Sequence, residues 1–478
     1  MPGVDWSLLW PEGLVTALAF LVFLLDMVLP PHRKGVLPGL TALGLLGVLA
    51  FTLPFLWGKE ASLFDGLYRV DTYALFFKVV FLATGVLFVP LSMEFVGRHL
   101  EHQGAYYAIL LLGIVGMMAM ASAGELLTAI IALELESFAL YVLVAYARRD
   151  VRSNEAAVKF ILLGAFSSAL LLYGVSLVYG ALGTTYFAAM AQGLAQGEMT
   201  PLLALGLGLI LVGFAFKLAA VPFHMWAPDT YQGAPMPVTA FIAVASKTAV
   251  VALLLRLLAE GMGPSQGQWQ WVLAVLSALT MTVGNVVAVV QRNLKRLIAY
   301  SSIGQVGYLL AGLTALSPMA SAGVIYHLVG YGVTTLAAFV ALVFFYNATR
   351  QDDIPALAGL AQREPLAAAG LAVALFSLAG LPFFVGFTSK FYLFTAAARG
   401  GWLWLAGLGI VNSLISLYYY LVIIRQMYIE RPPEATRLPL SPLLKATLGL
   451  LIGGIVLLGV YPTPLVRAAE AATRTLLP

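Results

Sequence analysis

Cysteine is absent from this chain of 478 residues. Without thiols the chain can form no disulfide, thiolate metal site or cysteine-held iron–sulfur cluster, so any electron-transfer chemistry must lie elsewhere. Charged residues are also scarce, at 10% of the chain against about 25% in an ordinary soluble protein. So few charges cannot cover a soluble fold of this size. The formal charge of +4 is spread between apolar segments and offers no cationic tract for nucleic acid.

Apolar runs recur from end to end, and 61% of the residues are hydrophobic. Runs of about 20 residues cross a hydrocarbon core of roughly 30 Å, so the lipid bilayer is the predicted solvent. Hydrophobic windows predict an all-α membrane protein of about fourteen spans. These lie near 9–29, 36–57, 72–96, 105–121, 126–147, 156–180, 202–221, 238–258, 271–290, 297–313, 320–346, 365–398, 402–424 and 443–460.

Lysine and arginine alternate between the two sides of these spans. One side carries Arg33, Lys34, Arg98, Arg148, Arg149, Arg152, Arg292, Lys295, Arg296, Arg350, Arg363, Arg431, Arg437 and Lys445. The other has only Lys59, Arg69, Arg256, Arg399, Arg467 and Arg474. Because positively charged loops stay cytoplasmic, both termini are predicted to lie on the non-cytoplasmic side.

Two spans are predicted to be interrupted, at Pro222 and at Pro382. Proline removes a backbone donor and clashes with the preceding turn, so each helix should break or kink there. The two prolines are five predicted spans apart, which would invert a second copy of a five-span repeat and place a site between the copies. Proline is also common in membrane helices, and the local pattern leaves both interpretations open.

Four ionisable residues are predicted at bilayer depth: Glu134, Lys217, Lys247 and Lys390. A charge at the bilayer centre costs about 2.5–3.5 kcal/mol on insertion scales, so such residues usually face a protein interior and have a function. Lysine can switch between charged and neutral forms as its surroundings change, whereas arginine stays charged. Lysines within the spans therefore indicate proton transfer.

Other ionisable residues allow two interpretations. Lys159 and Lys78 either join this interior set or snorkel to the interface. His224 and His327 are candidate proton relays, although each also fits a hydrogen-bonded packing role. Glu136 is about 200° around the helix from Glu134, so the two cannot face one partner, and one is expected to point elsewhere, for example to a neighbouring subunit.

Some charges and glycines are expected to have ordinary roles. Asp26, Glu94 and Asp229 are interpreted as interfacial or loop charges. The glycines of 206–213 are expected to mark close helix packing. The sequence contains no recognisable metal-ligand cluster, phosphate-binding loop or nucleophile motif.

Several of these segments resemble the antiporter-like membrane subunits of proton-pumping NADH:quinone oxidoreductase, respiratory complex I. The resemblance rests on Leu133-Glu-Leu, Ala156-Ala-Val-Lys-Phe, Phe216-Lys, Val221-Pro-Phe-His-Met-Trp-Ala-Pro-Asp-Thr-Tyr-Gln-Gly-Ala-Pro-Met-Pro-Val238, Ser246-Lys and Ser377-Leu-Ala-Gly-Leu-Pro-Phe-Phe-Val-Gly-Phe-Thr-Ser-Lys390. The Pro-Asp-Thr-Tyr-Gln-Gly-Ala-Pro form is most similar to the N-subunit type. The chain departs from the family at Ala139, where proline is common, and in the extra charge of Glu136.

The resemblance implies fourteen helices with two inverted five-helix repeats, each with a broken helix. The implied parts are an N-terminal three-helix segment (1–104), a first repeat (105–260), a second repeat (268–428) and a C-terminal helix (429–478). It implies proton transfer through Glu134, Lys159, Lys217, Lys247 and Lys390.

The resemblance also implies partners. These are the other membrane subunits of complex I in a bacterial inner membrane, with FMN, iron–sulfur clusters and quinone bound by partner subunits and none by this chain. A subunit of a sodium/proton antiporter without redox coupling is the alternative.

Overall fold

The computed structural model describes residues 5–431 and 436–476, and helices dominate them. The first eight α-helices are α1 (Trp10–Val28), α2 (Leu37–Leu56), α3 (Thr72–His99), α4 (Gln103–Ser122), α5 (Leu126–Val144), α6 (Val151–Leu182), α7 (Phe187–Gln196) and α8 (Pro201–Lys217). Helix is the expected form because a backbone in lipid must satisfy its own hydrogen bonds.

The remaining helices follow the first interruption of the chain. They are α9 (Trp226–Gly233), α10 (Met236–Phe241), α11 (Lys247–Arg256), α12 (Gln266–Ala288), α13 (Leu294–Thr314), α14 (Pro318–Thr349), α15 (Leu360–Arg363), α16 (Pro365–Ala379), α17 (Val385–Arg399), α18 (Leu403–Tyr428), α19 (Pro442–Val460) and α20 (Thr463–Thr473). The π-helical turn Ile242–Ser246 joins α10 to α11, and a second π-helical turn, Leu257–Gly261, extends α11, so that Met236–Gly261 forms one helix.

Within the described residues, twelve helices are long and apolar enough to cross a membrane. Two shorter apolar helices, α8 and α16, are each followed after a break by a second helix, α9 or α17. The membrane-spanning all-α class is confirmed. A total of fourteen spans requires each broken pair to cross once, and it stays a prediction.

The predicted interruptions at Pro222 and Pro382 are both present. The backbone between α8 and α9 turns at Ala219, whose φ is 57°. The backbone after α16 turns at Gly380, where a φ of 90° favours glycine because it has no Cβ. Freed backbone groups find new partners: Thr280 Oγ1 accepts from the Val221 N–H at 3.0 Å, and Trp226 Nε1 donates to the Phe216 carbonyl at 2.8 Å.

Helix lengths support the predicted five-helix repeat. The helices α4, α5, α6 and Met236–Gly261 have 20, 19, 32 and 26 residues, and α12, α13, α14 and α18 have 23, 21, 32 and 26. In each series the broken pair precedes the last member. The inverted relation of the two series and the division at 105–260 and 268–428 remain predictions.

Glycines bring α6 and α8 into backbone contact, as expected for 206–213. A Cβ on Gly206 would lie 3.0 Å from the Gly174 carbonyl oxygen, and one on Gly174 would lie 2.8 Å from the Gly206 carbonyl oxygen. A larger side chain at either position would separate the two helices. The contact holds α8, and with it Lys217, against α6.

Several small elements lie between the long helices. Strands β1 (Ala61–Leu63) and β2 (Tyr68–Val70) form an antiparallel hairpin between α2 and α3. Helix α7 lies in the connection between α6 and α8. The segment 352–362 forms a 3-10 turn, Ile354–Leu357, and the start of the one-turn α15.

Candidate proton-transfer site

An acid and a lysine meet inside the first broken-helix region. The Lys217 amino group lies 3.5 Å from Glu134 Oε1 and donates to the Ser137 hydroxyl at 2.6 Å. The Ser168 hydroxyl of α6 donates to the same Glu134 oxygen at 2.6 Å. The side chain of Lys217 is 7% exposed and that of Glu134 is 22% exposed. The short distance allows a proton to move directly between the Glu134 carboxylate and the Lys217 amine.

The helix break places Lys217 at a helix end that stabilises its positive charge. Lys217 is the last residue of α8, and the C-terminal end of a helix carries partial negative charge that stabilises a cation. Its amino group also lies 5.9 Å from the centre of the Tyr141 ring. The chain thus places the amine between a helix terminus, a carboxylate, a hydroxyl and an aromatic face.

Glu136 is buried inside the chain, with 1% of its surface exposed. It lies on the face of α5 that contacts α4, where a Cβ on Gly116 would come within 2.8 Å of the Glu136 backbone nitrogen. Its Oε1 has no hydrogen-bond partner among the described residues. The expectation that Glu134 and Glu136 face different ways agrees with this packing, but the suggested neighbouring subunit is not the partner of Glu136.

Lys247 is buried directly after the π-helical turn Ile242–Ser246. Its amino group donates to the Ser302 hydroxyl of α13 at 2.7 Å and lies 5.7 Å from the centre of the Tyr231 ring. Within the described part of the chain, no carboxylate forms an ion pair with it. Single π-turns often occur at functional positions because they re-aim a side chain.

Lys390 fills the second helix break. Its amino group donates to the Leu378 carbonyl at 2.7 Å and to the Ala379 carbonyl at 3.3 Å, both at the end of α16. The amino group also lies 4.8 Å from the centre of the Tyr308 ring. Carbonyls freed by the break therefore hold this cation in place of a carboxylate.

The two candidate histidines differ in their surroundings. His327 is buried on α14, and its Nδ1 is 3.0 Å from the hydroxyl of Ser389, the neighbour of Lys390 in sequence. Its Nε2 has no partner among the described residues. His224 is partly exposed in the first break, with its ring centre 6.5 Å from that of Tyr300. His327 thus lies beside a predicted site lysine.

Lys159 lies outside this interior. Its side chain is 45% exposed, and its amino group pairs with Glu155 at 2.8 Å and with Asp229 at 2.9 Å. Arg296 pairs with the other oxygen of Asp229 at 2.6 Å. Of the two interpretations of Lys159, the structure agrees with the surface position, because its amino group pairs with acids there. Its part in proton transfer stays a prediction.

Sequence reasoning missed a buried ion cluster at the start of α3. Arg256 is fully buried, and its two terminal nitrogens each lie 2.8 Å from an oxygen of Asp71. Glu260 accepts from Arg256 at 3.3 Å and also pairs with Arg69. Although burial acts to raise the pKa of Asp71, the Arg256 charge brings that pKa below its ordinary value. That Arg256 is one of the few charges on the non-cytoplasmic side stays a prediction.

A second buried pair was also missed. Lys78 is fully buried, and its amino group lies 2.9 Å from Glu12 Oε1 and 2.9 Å from the Tyr68 hydroxyl. The snorkelling interpretation of Lys78 is therefore wrong, and a run of uncharged residues on both sides of Lys78 was the available signal. Asp26, by contrast, pairs with Lys34 at 3.0 Å near the end of α1, as an interfacial charge would.

Among residues 5–431 and 436–476, no three His, Asp or Glu side chains are placed to hold a metal ion. What the interior offers instead is a series of amines with hydroxyl, carboxylate or carbonyl partners. Such groups can exchange protons.

Comparison with known proteins agrees with this chemistry. Residues 123–416 match a family model described as NADH:quinone oxidoreductase/Mrp antiporter, transmembrane. A protein of Desulforamulus reducens named NADH-quinone oxidoreductase subunit N is 41% identical over 99% of each chain. The subunit N of Moorella thermoacetica is 42% identical over 97% of each. A chain in the respiratory complex I of Thermus thermophilus with bound aureothin is 35% identical, with a TM-score of 0.81, over 96% of this chain and 99% of that one.

Proposed function

Since the chain belongs to the family of NADH-quinone oxidoreductase N subunits, we propose that it translocates protons in the membrane arm of such an enzyme. Its partners would be the other membrane subunits of that complex in a bacterial inner membrane. The flavin, iron–sulfur clusters and quinone would be bound by partner subunits, and the lack of cysteine in this chain supports this for the clusters. The arginine and lysine distribution favours both termini on the non-cytoplasmic side.

The Glu134–Lys217 pair is the observation that carries this proposal. A buried ion pair is costly to desolvate, and replacing one with apolar residues is often neutral or stabilising, so the pair is weak evidence for a structural role. A carboxylate and an amine within 3.5 Å of each other suit a proton that passes from one group to the other. Ionisable groups in membrane-spanning segments are costly to bury and usually have a function.

The other lysines extend the proposed route. Lys247 with Ser302 would continue it from α11 to α13, and Lys390 would receive protons at the second break, with His327 as a relay beside it. Internal water would join these groups. Lys159 and the partly exposed His224 would act nearer the surface, where Lys159 contacts Asp229.

Purified enzyme reconstituted into liposomes tests the proposal. Quinone reduction by NADH and the accompanying proton uptake should be measured together for Lys217→Ala and Lys217→Arg. If Lys217 must lose and regain a proton, Lys217→Arg should pump nearly as poorly as Lys217→Ala, because arginine stays charged. The exposed Lys445 supplies the control, and Lys445→Ala should pump normally. Full pumping by Lys217→Ala would remove Lys217 from the mechanism.

The same preparation distinguishes the alternative function. A redox-coupled subunit must purify with flavin and iron–sulfur subunits, and its proton transport must stop when NADH is withheld. A sodium/proton antiporter would purify without them and would exchange protons for sodium with no electron donor present.

A further inference from the structure

Glu12 and Lys78 form an acid–amine pair that the proposed route does not use. Both lie in the N-terminal three-helix segment, Glu12 in the first turn of α1 and Lys78 in the second turn of α3. Lys78 is 0% exposed and Glu12 is 8% exposed. A buried pair of titratable groups in a membrane protein usually has a function, because the burial of charge is costly.

The surroundings of Lys78 match those of Lys217. Each amine has one carboxylate within 3.5 Å, one hydroxyl within 2.9 Å and one tyrosine ring centre within 6 Å. For Lys78 these are Glu12, the Tyr68 hydroxyl and the Tyr68 ring. The two sites thus share one set of chemical partners although they lie on different helices.

The pair also has open hydrogen-bonding capacity. Neither carboxylate oxygen of Glu12 accepts a hydrogen bond from the described residues, although Oε1 is 2.9 Å from the Lys78 amine. The Ser122 hydroxyl at the end of α4 is buried and has no hydrogen-bond partner among those residues. The following residue, Ala123, pairs with Tyr68 across an isolated β-bridge. Polar groups without fixed partners are suited to holding water or a mobile proton.

The location of the Glu12–Lys78 pair indicates the side of the membrane toward which it would release a proton. Helices α1 and α3 begin on the same side, and the β1–β2 hairpin that carries Tyr68 lies at that end. In the orientation proposed above, this is the non-cytoplasmic side. A proton leaving Glu12 would therefore leave toward the side to which the enzyme delivers protons.

We propose that Glu12 and Lys78 form a second proton-transfer pair, through which protons are released on the non-cytoplasmic side. The Lys78 ammonium gives a proton to the Glu12 carboxylate, so an N–H bond breaks and an O–H bond forms. The neutral acid releases that proton to outside water, and the Lys78 amine takes a new proton from a hydrated proton on the interior side. The inference rests on the proposed proton-pumping function.

Arginine at position 78 separates proton transfer from a structural ion pair. Lys78→Arg keeps the charge and the pairing with Glu12 but holds its proton permanently. In the reconstituted enzyme it should lower the protons moved per electron, because proton transfer through this chain should slow by at least about tenfold, less than a positioned proton-transfer group usually contributes to a rate. Lys34→Arg is the matched control, because Lys34 pairs with Asp26 at the other end of α1. A purely structural pair predicts that Lys78→Arg behaves like Lys34→Arg.

A neutral double variant covers the case in which Lys78→Arg does not assemble. Glu12→Gln combined with Lys78→Met removes both charges at similar volume, a change that buried ion pairs often tolerate. It should assemble, reduce quinone and pump poorly. Normal pumping by this variant would overturn the inference.

Lys217→Arg, measured alongside, distinguishes a failure of the release pair from a failure of the proposed function. Failure of Lys217→Arg with normal pumping by Lys78→Arg and by the double variant leaves the proposed function intact and refutes the release pair. Normal pumping by Lys217→Arg as well would refute the proposed function itself.

Discussion

A single methyl group at Gly386 should disable the second helix break. Gly386 packs against the end of α16, and an added Cβ would lie 1.7 Å from the Ser377 carbonyl oxygen and 2.6 Å from its carbon. Since real Cβ atoms essentially never approach closer than 3.0 Å, α17 would have to move from α16 by about 1.3 Å. The backbone on both sides is helical, so no flexible side chain can absorb this shift.

That movement reaches Lys390, one helical turn beyond Gly386. The bond from its amino group to the Leu378 carbonyl is 2.7 Å long, and an equal shift would stretch it to about 4 Å, beyond hydrogen-bonding range. Overpacking and the loss of this charge-assisted bond together should cost roughly 2–5 kcal/mol of stability. Gly386→Ala should therefore lower both the thermal stability of the enzyme and its proton pumping.

Gly208 provides the matched control. It is also a glycine in a broken membrane helix, but a Cβ there meets nothing within 4 Å. Gly208→Ala should leave pumping unchanged and alter stability by no more than about 1 kcal/mol. Heat-induced release of this chain from the purified enzyme measures stability, and proton uptake by liposomes measures pumping. Identical behaviour of the two alanine variants would refute the reasoning.

Three further predictions concern stability. Asp71→Asn removes the main counter-charge of the fully buried Arg256 and should cost about 3–5 kcal/mol; unchanged thermal denaturation would contradict this assignment. Gly206→Leu should separate α6 from α8 and lower the denaturation temperature, whereas Gly208→Leu should not, and equal temperatures would count against the close contact. Lys159→Gln should change stability by no more than about 1 kcal/mol, because its ion pairs are solvent-screened; a larger loss in the same assay would show that Lys159 is buried in the assembly.

The sequence predicted those features that depend on local pattern. Hydrophobic length identified the membrane class, and Pro222 and Pro382 located the interruptions because proline acts on its own helix. The glycines of 206–213 indicated close packing for a similar reason, since a missing side chain leaves room for a neighbouring backbone. Each of these signals is contained within a few residues of the chain.

Features that depend on distant partners could not be predicted in this way. Whether Lys78 snorkels or is buried depends on Glu12, which lies on another helix. Glu12 and Lys78 come together only when α1 packs into the helix bundle. Lys159 is drawn outward by Asp229 for the same kind of reason. The short strands of the hairpin at 61–70 have three residues each, too few for a periodic pattern.

The central claim is that an amine at position 217 works by losing and regaining a proton. This chain has no native cysteine, so Lys217→Cys introduces its single thiol. In the reconstituted enzyme, an aminoethyl thiosulfonate would rebuild a titratable amine there, and the trimethylammonium analogue would supply a permanent charge of similar reach. Mass spectrometry of this chain would verify each modification, and wild-type enzyme treated in parallel would control for other subunits. The account predicts that only the aminoethyl group restores proton pumping; equal restoration by the permanent charge would contradict it.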